Sequence, residues 1–295
     1  MPVPRKDDGH APGAGTEASL EPSTPRTHPI ALLPALLVCG AAVALFGFMV
    51  PIAGYAMLAA GLVAAWLCDR SGRTERLLAD LALIAVGQVI ISTVSLKADL
   101  SDAGMLRFAV VLGLAVLVPF LISRFLYRER TIRFPWRTGR RWNRTQWLYL
   151  IFVTLAGWLI LPFYFISSGA YLNWPTVTEP DTIARLFVGV AAVGTWDELF
   201  FICTVFVLLR RHFPSWQANL LQSIVFVSFL WELGYQSWGP LLTIPFALIQ
   251  GYTFKLTKSL GYVFTVHMLF DAVVFAVIVY AHTGWPAIFP FAPQP

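Results

Sequence analysis

From Ile30 onward the chain is a succession of apolar stretches, each about as long as a bilayer is thick and separated by short polar or basic breaks. A hydrocarbon core ~30 Å thick takes ~20 helical residues. In that solvent a helix pairs its own backbone N–H and C=O groups, which an isolated extended segment cannot do. Nine stretches have the required length, roughly 30–50, 52–69, 77–96, 105–126, 146–167, 182–209, 215–233, 240–255 and 260–281. The expected fold is therefore all-α, a polytopic transmembrane helical bundle of about eight or nine spans. Pro51 alone divides the first two stretches, which leaves a tight hairpin or one long kinked helix open. With 57% hydrophobic and only 13% charged residues, the composition lies far from that of a soluble domain.

Basic residues set the expected orientation. If the amino terminus is cytoplasmic, 18 of the 21 Lys and Arg residues fall on the inside, and only Lys97, Arg107 and Arg185 lie towards the outside. This bias, rather than a nucleic-acid partner, accounts for the net charge of +5. The expected organisation is a disordered cytoplasmic tail at 1–29, transmembrane helices over 30–126 and a basic cytoplasmic loop at 127–145. A transmembrane core over 146–281 and a C-terminal tail at 282–295 follow. Eight arginines lie between Arg124 and Arg144, with Trp136 and Trp142 among them. They read as a headgroup-facing anchor, with an anionic partner as the sharper alternative. The expected setting is an integral, multi-pass protein of the plasma (inner) membrane. Cys39, Cys68 and Cys203 lie in apolar stretches with no CxxC, which argues against a disulfide framework and a thiolate metal site.

Against this background Asp197 and Glu198 are anomalous. Each ionisable group at the centre of a bilayer costs ~3 kcal/mol or more unless it is paired or wetted, so such residues mark functional sites by default. His267 and Asp271 stand one turn apart and share a face of the last span, and Glu232 lies near the end of the 215–233 span. Counted at ~1.5 Å per residue from the basic anchors, the depths of these groups spread over ~10 Å, which makes one shared site feasible. Adjacent residues on a helix point ~100° apart. Of Asp197 and Glu198, then, one is expected to line the site and the other to support it or bond a neighbouring helix. A desolvated carboxylate is a better base towards water, and an imidazole beside it supplies a hydrogen bond to a developing oxyanion. Gln222 and Gln250 read as interhelical hydrogen bonds, and Lys97, Arg107 and Arg185 as snorkelling side chains.

The spacing resembles that of the CAAX-processing and bacteriocin-processing (CPBP, or Abi) family of intramembrane proteases. That family carries Glu-Glu-x-x-x-Arg on one helix, Phe-x-x-x-His about 35 residues on, and His-x-x-x-Asn or Asp about 35 further. Here Asp197-Glu198 falls on the first motif, Glu232 comes 35 residues after Asp197, and His267-x-x-x-Asp271 starts 35 after Glu232. Three positions depart from the pattern. Asp197 replaces the first Glu, Ile202 stands at the Arg position, and Glu232, or Leu233 in the register of Phe229, stands where the second motif has His.

The resemblance implies water-mediated cleavage of a peptide bond at the membrane. Asp197, with Glu198, would activate water, His267 and Asp271 would stabilise the oxyanion, and Glu232 would hold the second-motif place. The implied partners are the lipid bilayer and a membrane peptide or protein substrate. No cofactor and no metal site are expected, although Glu198, Glu232, His267 and Asp271 would together make an oxygen-rich donor set with one imidazole. Two other classes remain: a catalytically silent scaffold that binds a membrane partner, and an ion-coupled transporter, against which the lack of an internal repeat counts.

Overall fold

The computed structural model describes residues 29–137, 139 and 141–293, so the tail expected at 1–29 lies, but for Pro29, outside the described residues. Among these the chain is all helical. Nine rods stand where nine spans were expected: α1 Pro29–Gly47, α2 Pro51–Arg70, α3 Leu77–Ile91, α4 Asp102–Leu126, α5 Arg144–Ser167, α6 Pro180–Leu209, α7 Ser215–Leu233, α8 Pro240–Thr257 and α9 Leu260–Thr283. Six of them, α1, α2, α4, α5, α6 and α9, are long and apolar enough to cross a membrane. α3 has 15 residues, while α7 and α8 carry more Ser, Thr, Asn and Gln. The chain is an integral membrane protein. Large side chains such as Ile52 on α2, Leu106 on α4 and Phe152 on α5 are left exposed, as lipid-facing positions should be.

Local chemistry sets the helix ends. Pro51, Pro180 and Pro240 open α2, α6 and α8, where a missing N–H costs nothing. Asn143 and Gln146 form a reciprocal capping box at the start of α5. The Asp69 carboxylate accepts from the N–H groups of Leu77 and Leu78, capping α3 from the end of α2. Around Pro51 the structure shows a hairpin rather than one kinked helix. Met49 turns the chain with a φ of 54°, and α1 and α2 then pack antiparallel, a Cβ on Gly54 meeting Leu45 and one on Gly61 meeting Val38. α3 ends five residues short of the expected 96. Leu96 is nevertheless buried, in a loop whose backbone is tied to α7.

The second half of α6 is the axis of the bundle, touching α4, α7, α8, α9 and, at its last turn, α3. From Glu198 to Phe206 it winds as a π-helix, a widening common at functional sites. Trp196, Phe200, Phe201, Phe226 and Phe229 stack on one side of it, and Trp196 Nε1 donates to Leu112 O of α4. Cys39, Cys68 and Cys203 are buried free thiols.

One end of the bundle is closed by ion pairs that sequence spacing does not reveal. Buried Asp80 accepts from Arg211 Nη1 at 3.0 Å and pairs with His212 Nε2 at 2.6 Å. Arg211 and Arg76 both clasp Glu129 of the basic loop. Burial works against the Glu129 carboxylate, but the hydrogen bond and charge of Arg211, with Arg76 beside it, outweigh that and hold its pKa below the usual range. Its contribution to stability is thus full above the ordinary glutamate pKa and is lost as pH falls through the depressed folded value. Replacing Asp80 by Ala strands His212 and leaves Arg211 with Glu129 alone. We expect this variant to lose about 2 kcal/mol, a figure reduced for the partial exposure of Arg211, in thermal unfolding of the detergent-solubilised protein.

Candidate active site

Four of the five candidate residues meet in the interior, between α6 and α9. All four side chains are buried. His267 Nδ1 lies 2.8 Å from Glu198 Oε1. On the other edge of the ring, Nε2 lies 3.7 Å from both Asp197 Oδ2 and Asp271 Oδ1. The two adjacent acids, which diverge on their own helix, therefore reach the same imidazole from opposite edges. The 2.8 Å contact is a hydrogen bond, whereas 3.7 Å is too long for one.

Glu198 is fixed from behind. Gln250 of α8 donates through Nε2 to the same Oε1 at 2.6 Å. Phe246, one turn earlier on α8, stands edge-on to the imidazole at 5.0 Å between ring centroids, and Phe226 of α7 flanks it at 6.2 Å. These contacts leave the ring little rotational freedom and direct Nε2 towards Asp197 and Asp271. Asp197 Oδ1 and Glu198 Oε2 have no protein hydrogen-bond partner among the described residues.

His267 and both aspartates line a cavity of about 420 Å³. Its walls are apolar, with Leu112 and Phe108 of α4, Val190 and Trp196 of α6, and Phe246 and Phe270 prominent. It runs from the polar cluster to Ala98–Leu100, Trp174 and Tyr235, at the end of the bundle opposite the arginine-rich loop. Asp197, His267 and Asp271 line it, and Glu198 stands behind the imidazole.

Glu232 does not join the cluster. Its Oε1 accepts the N–H of Leu96 at 3.0 Å, so this carboxylate ties α7 to the α3–α4 loop. The donor set of Glu198, Glu232, His267 and Asp271 is accordingly not assembled. Among the described residues no three His, Cys, Asp or Glu side chains are disposed to hold a metal ion. Arg185 does not merely snorkel either: it pairs with Asp181 and Asp102 and donates to Leu100 O, bracing the mouth of the cavity.

Two residues at the site escape a reading by motif. Gln250 is an interhelical hydrogen bond as expected, but the group it serves is the Glu198 carboxylate that holds His267. Tyr235 lines the cavity from the loop after α7, three residues past Glu232. A third, Gly194, lets the helices close. A Cβ there would overlap Asp271 Oδ2 and Met268. Gly194→Ala should therefore turn Asp271 away from His267 and press α6 and α9 apart. We expect altered ¹⁵N shifts of the His267 ring and a loss of about 1–3 kcal/mol in thermal stability.

Residues 179–273, which hold all four clustered side chains, match the family model described as type II CAAX prenyl endopeptidase Rce1-like. No curated protein and no solved structure matches the chain. The matched region is the one that carries the motif spacing, and the cluster is built from its first and last motifs. Residues 179–273 of this integral membrane protein are thus similar to the Rce1-like type II CAAX prenyl endopeptidase family.

Proposed function

We propose that the chain is an intramembrane endopeptidase that uses carboxylate-activated water, with Asp197 as the base. The observation that carries this reading is the placement of His267 Nε2 at 3.7 Å from each of two aspartates at the wall of an apolar cavity. Water on the cavity side of Asp197 gives up a proton to Asp197 as its oxygen bonds to the substrate carbonyl carbon. The carbonyl electron pair moves to oxygen, where Nε2–H of His267 stabilises it. Glu198 holds Nδ1–H and thereby keeps the ring charged and oriented, with Asp271 steadying its other edge. When the tetrahedral species collapses, the C–N bond breaks and the leaving amine takes the proton from Asp197.

The Rce1-like match suggests the substrate class, a prenylated protein terminus, and the apolar walls suit a lipid-modified or very hydrophobic segment. In this reading the arginine-rich end is cytoplasmic, as the positive-inside bias requires, and the membrane is the plasma (inner) membrane. The core over 146–281 is the catalytic unit and the helices over 30–126 are its support.

A partner-binding scaffold that has lost the reaction is the competing reading. It is favoured by Ile202 at the Arg position and by Glu232, which stands at the second-motif place but bonds Leu96 N–H instead of joining the cluster. Reconstituted protein incubated with a farnesylated peptide ending in a CAAX sequence separates the two. We expect mass spectrometry to detect the released C-terminal tripeptide. Asp197→Ala and His267→Ala should each lose about 10³-fold or more in rate, and Glu198→Gln about 10²-fold. Glu232→Gln, outside the cluster, should cleave like wild type. Absence of tripeptide release by the folded wild-type protein would favour the scaffold.

A further inference from the structure

At the basic end of the bundle a second cavity, also about 420 Å³, is lined by Phe120 and Arg124 of α4 and by Arg130, Ile132, Arg133 and Phe134 of the loop. Three guanidinium groups border it, and none of them is in an ion pair among the described residues, in contrast to Arg76 and Arg211 close by. Like charges do not gather around one hollow without a compensating anion unless the solvent supplies it. The loop is also held in place: Ile132 is buried, Phe134 packs on Phe120 with ring centroids 5.6 Å apart, Arg133 Nε donates to Arg130 O, and Pro135 O accepts the Leu260 N–H at 2.9 Å. The arginines therefore project from a fixed frame rather than from a loose tail.

What surrounds the hollow selects among anions. Phe125 and Leu126, adjoining Arg124, are each 71% exposed, which gives the rim an apolar surface suited to acyl chains. The cavity's lining is made of three apolar side chains and three arginines. A phosphate with hydrocarbon attached satisfies both halves of this lining, whereas a free phosphate satisfies only one. We propose that this cavity is a binding site for the phosphate headgroup of an anionic phospholipid, its acyl chains lying along Phe125 and Leu126. The site is some way from the polar cluster and does not depend on the peptidase reading.

The test uses the full chain in detergent, its thermal midpoint followed while dioleoyl phosphatidylglycerol, dioleoyl phosphatidylcholine or inorganic phosphate is added. Phosphatidylglycerol is expected to raise the midpoint saturably, and the other two to leave it unchanged. The triple substitution Arg124→Gln, Arg130→Gln and Arg133→Gln should weaken phosphatidylglycerol about a hundredfold, and Arg130→Gln alone, an exposed side chain, about fivefold. The charge-matched triple Arg73→Gln, Arg137→Gln and Arg141→Gln should bind as wild type. An equal response to phosphatidylcholine or to inorganic phosphate overturns the proposal. So does an equal loss in both triples, which would show diffuse surface charge, or wild-type binding by Arg130→Gln.

Discussion

The hydrogen bond between Glu198 and His267 joins the two helices on which the interior depends. In lipid an unpaired carboxylate or imidazolium is costly, so once the sequence places both groups at mid-depth, α6 and α9 have strong reason to meet face to face. The rest of the interior is arranged around that contact. Gln250 supplies a second donor to the same oxygen, Phe226 and Phe246 shield the ring, and Gly194 removes the side chain that would hold the helices apart. The outcome is a polar pair at the centre of an aromatic core, with His267 at the wall of a cavity.

Both ends of the bundle manage charge, but by different means. At the arginine-rich end Asp80 and Glu129 gather Arg76, Arg211 and His212 into a network that fastens α3, the end of α6 and the basic loop. At the other end Arg185 reaches Asp102 and Asp181, and Glu232 holds the backbone of Leu96. These contacts join loops far apart in the chain, and they fix the two termini of α6. The cluster in the middle is thereby held without being drawn to either surface.

Much of this could be read from the residues. Apolar length and the breaks between stretches located all nine helices, because a helix in lipid needs no tertiary partner to satisfy its backbone. The i, i+4 pair His267 and Asp271 share a face by helix geometry alone. Asp197 and Glu198 stood out because nothing in a lipid-facing helix tolerates them. What spacing could not supply was which way a side chain turns at the end of a helix. Glu232 fell at the motif distance, yet it sits where α7 emerges and finds an amide of the α3–α4 loop, a partner 136 residues away in sequence. Asp80 and His212, 132 residues apart, met for the same non-local reason. The π-winding from Glu198 to Phe206 has no sequence signature that we can identify, although it begins at the carboxylate that bonds His267.

The central claim, that Glu198 and His267 are energetically joined inside the bundle, is tested most directly by a double-mutant cycle on thermal stability, using Glu198→Gln, His267→Gln and the pair. A buried hydrogen-bonded charged pair predicts a coupling energy of about 1–3 kcal/mol. Additive losses, with coupling below about 0.3 kcal/mol, would mean that the two side chains do not meet, and the account of the site would fail with them.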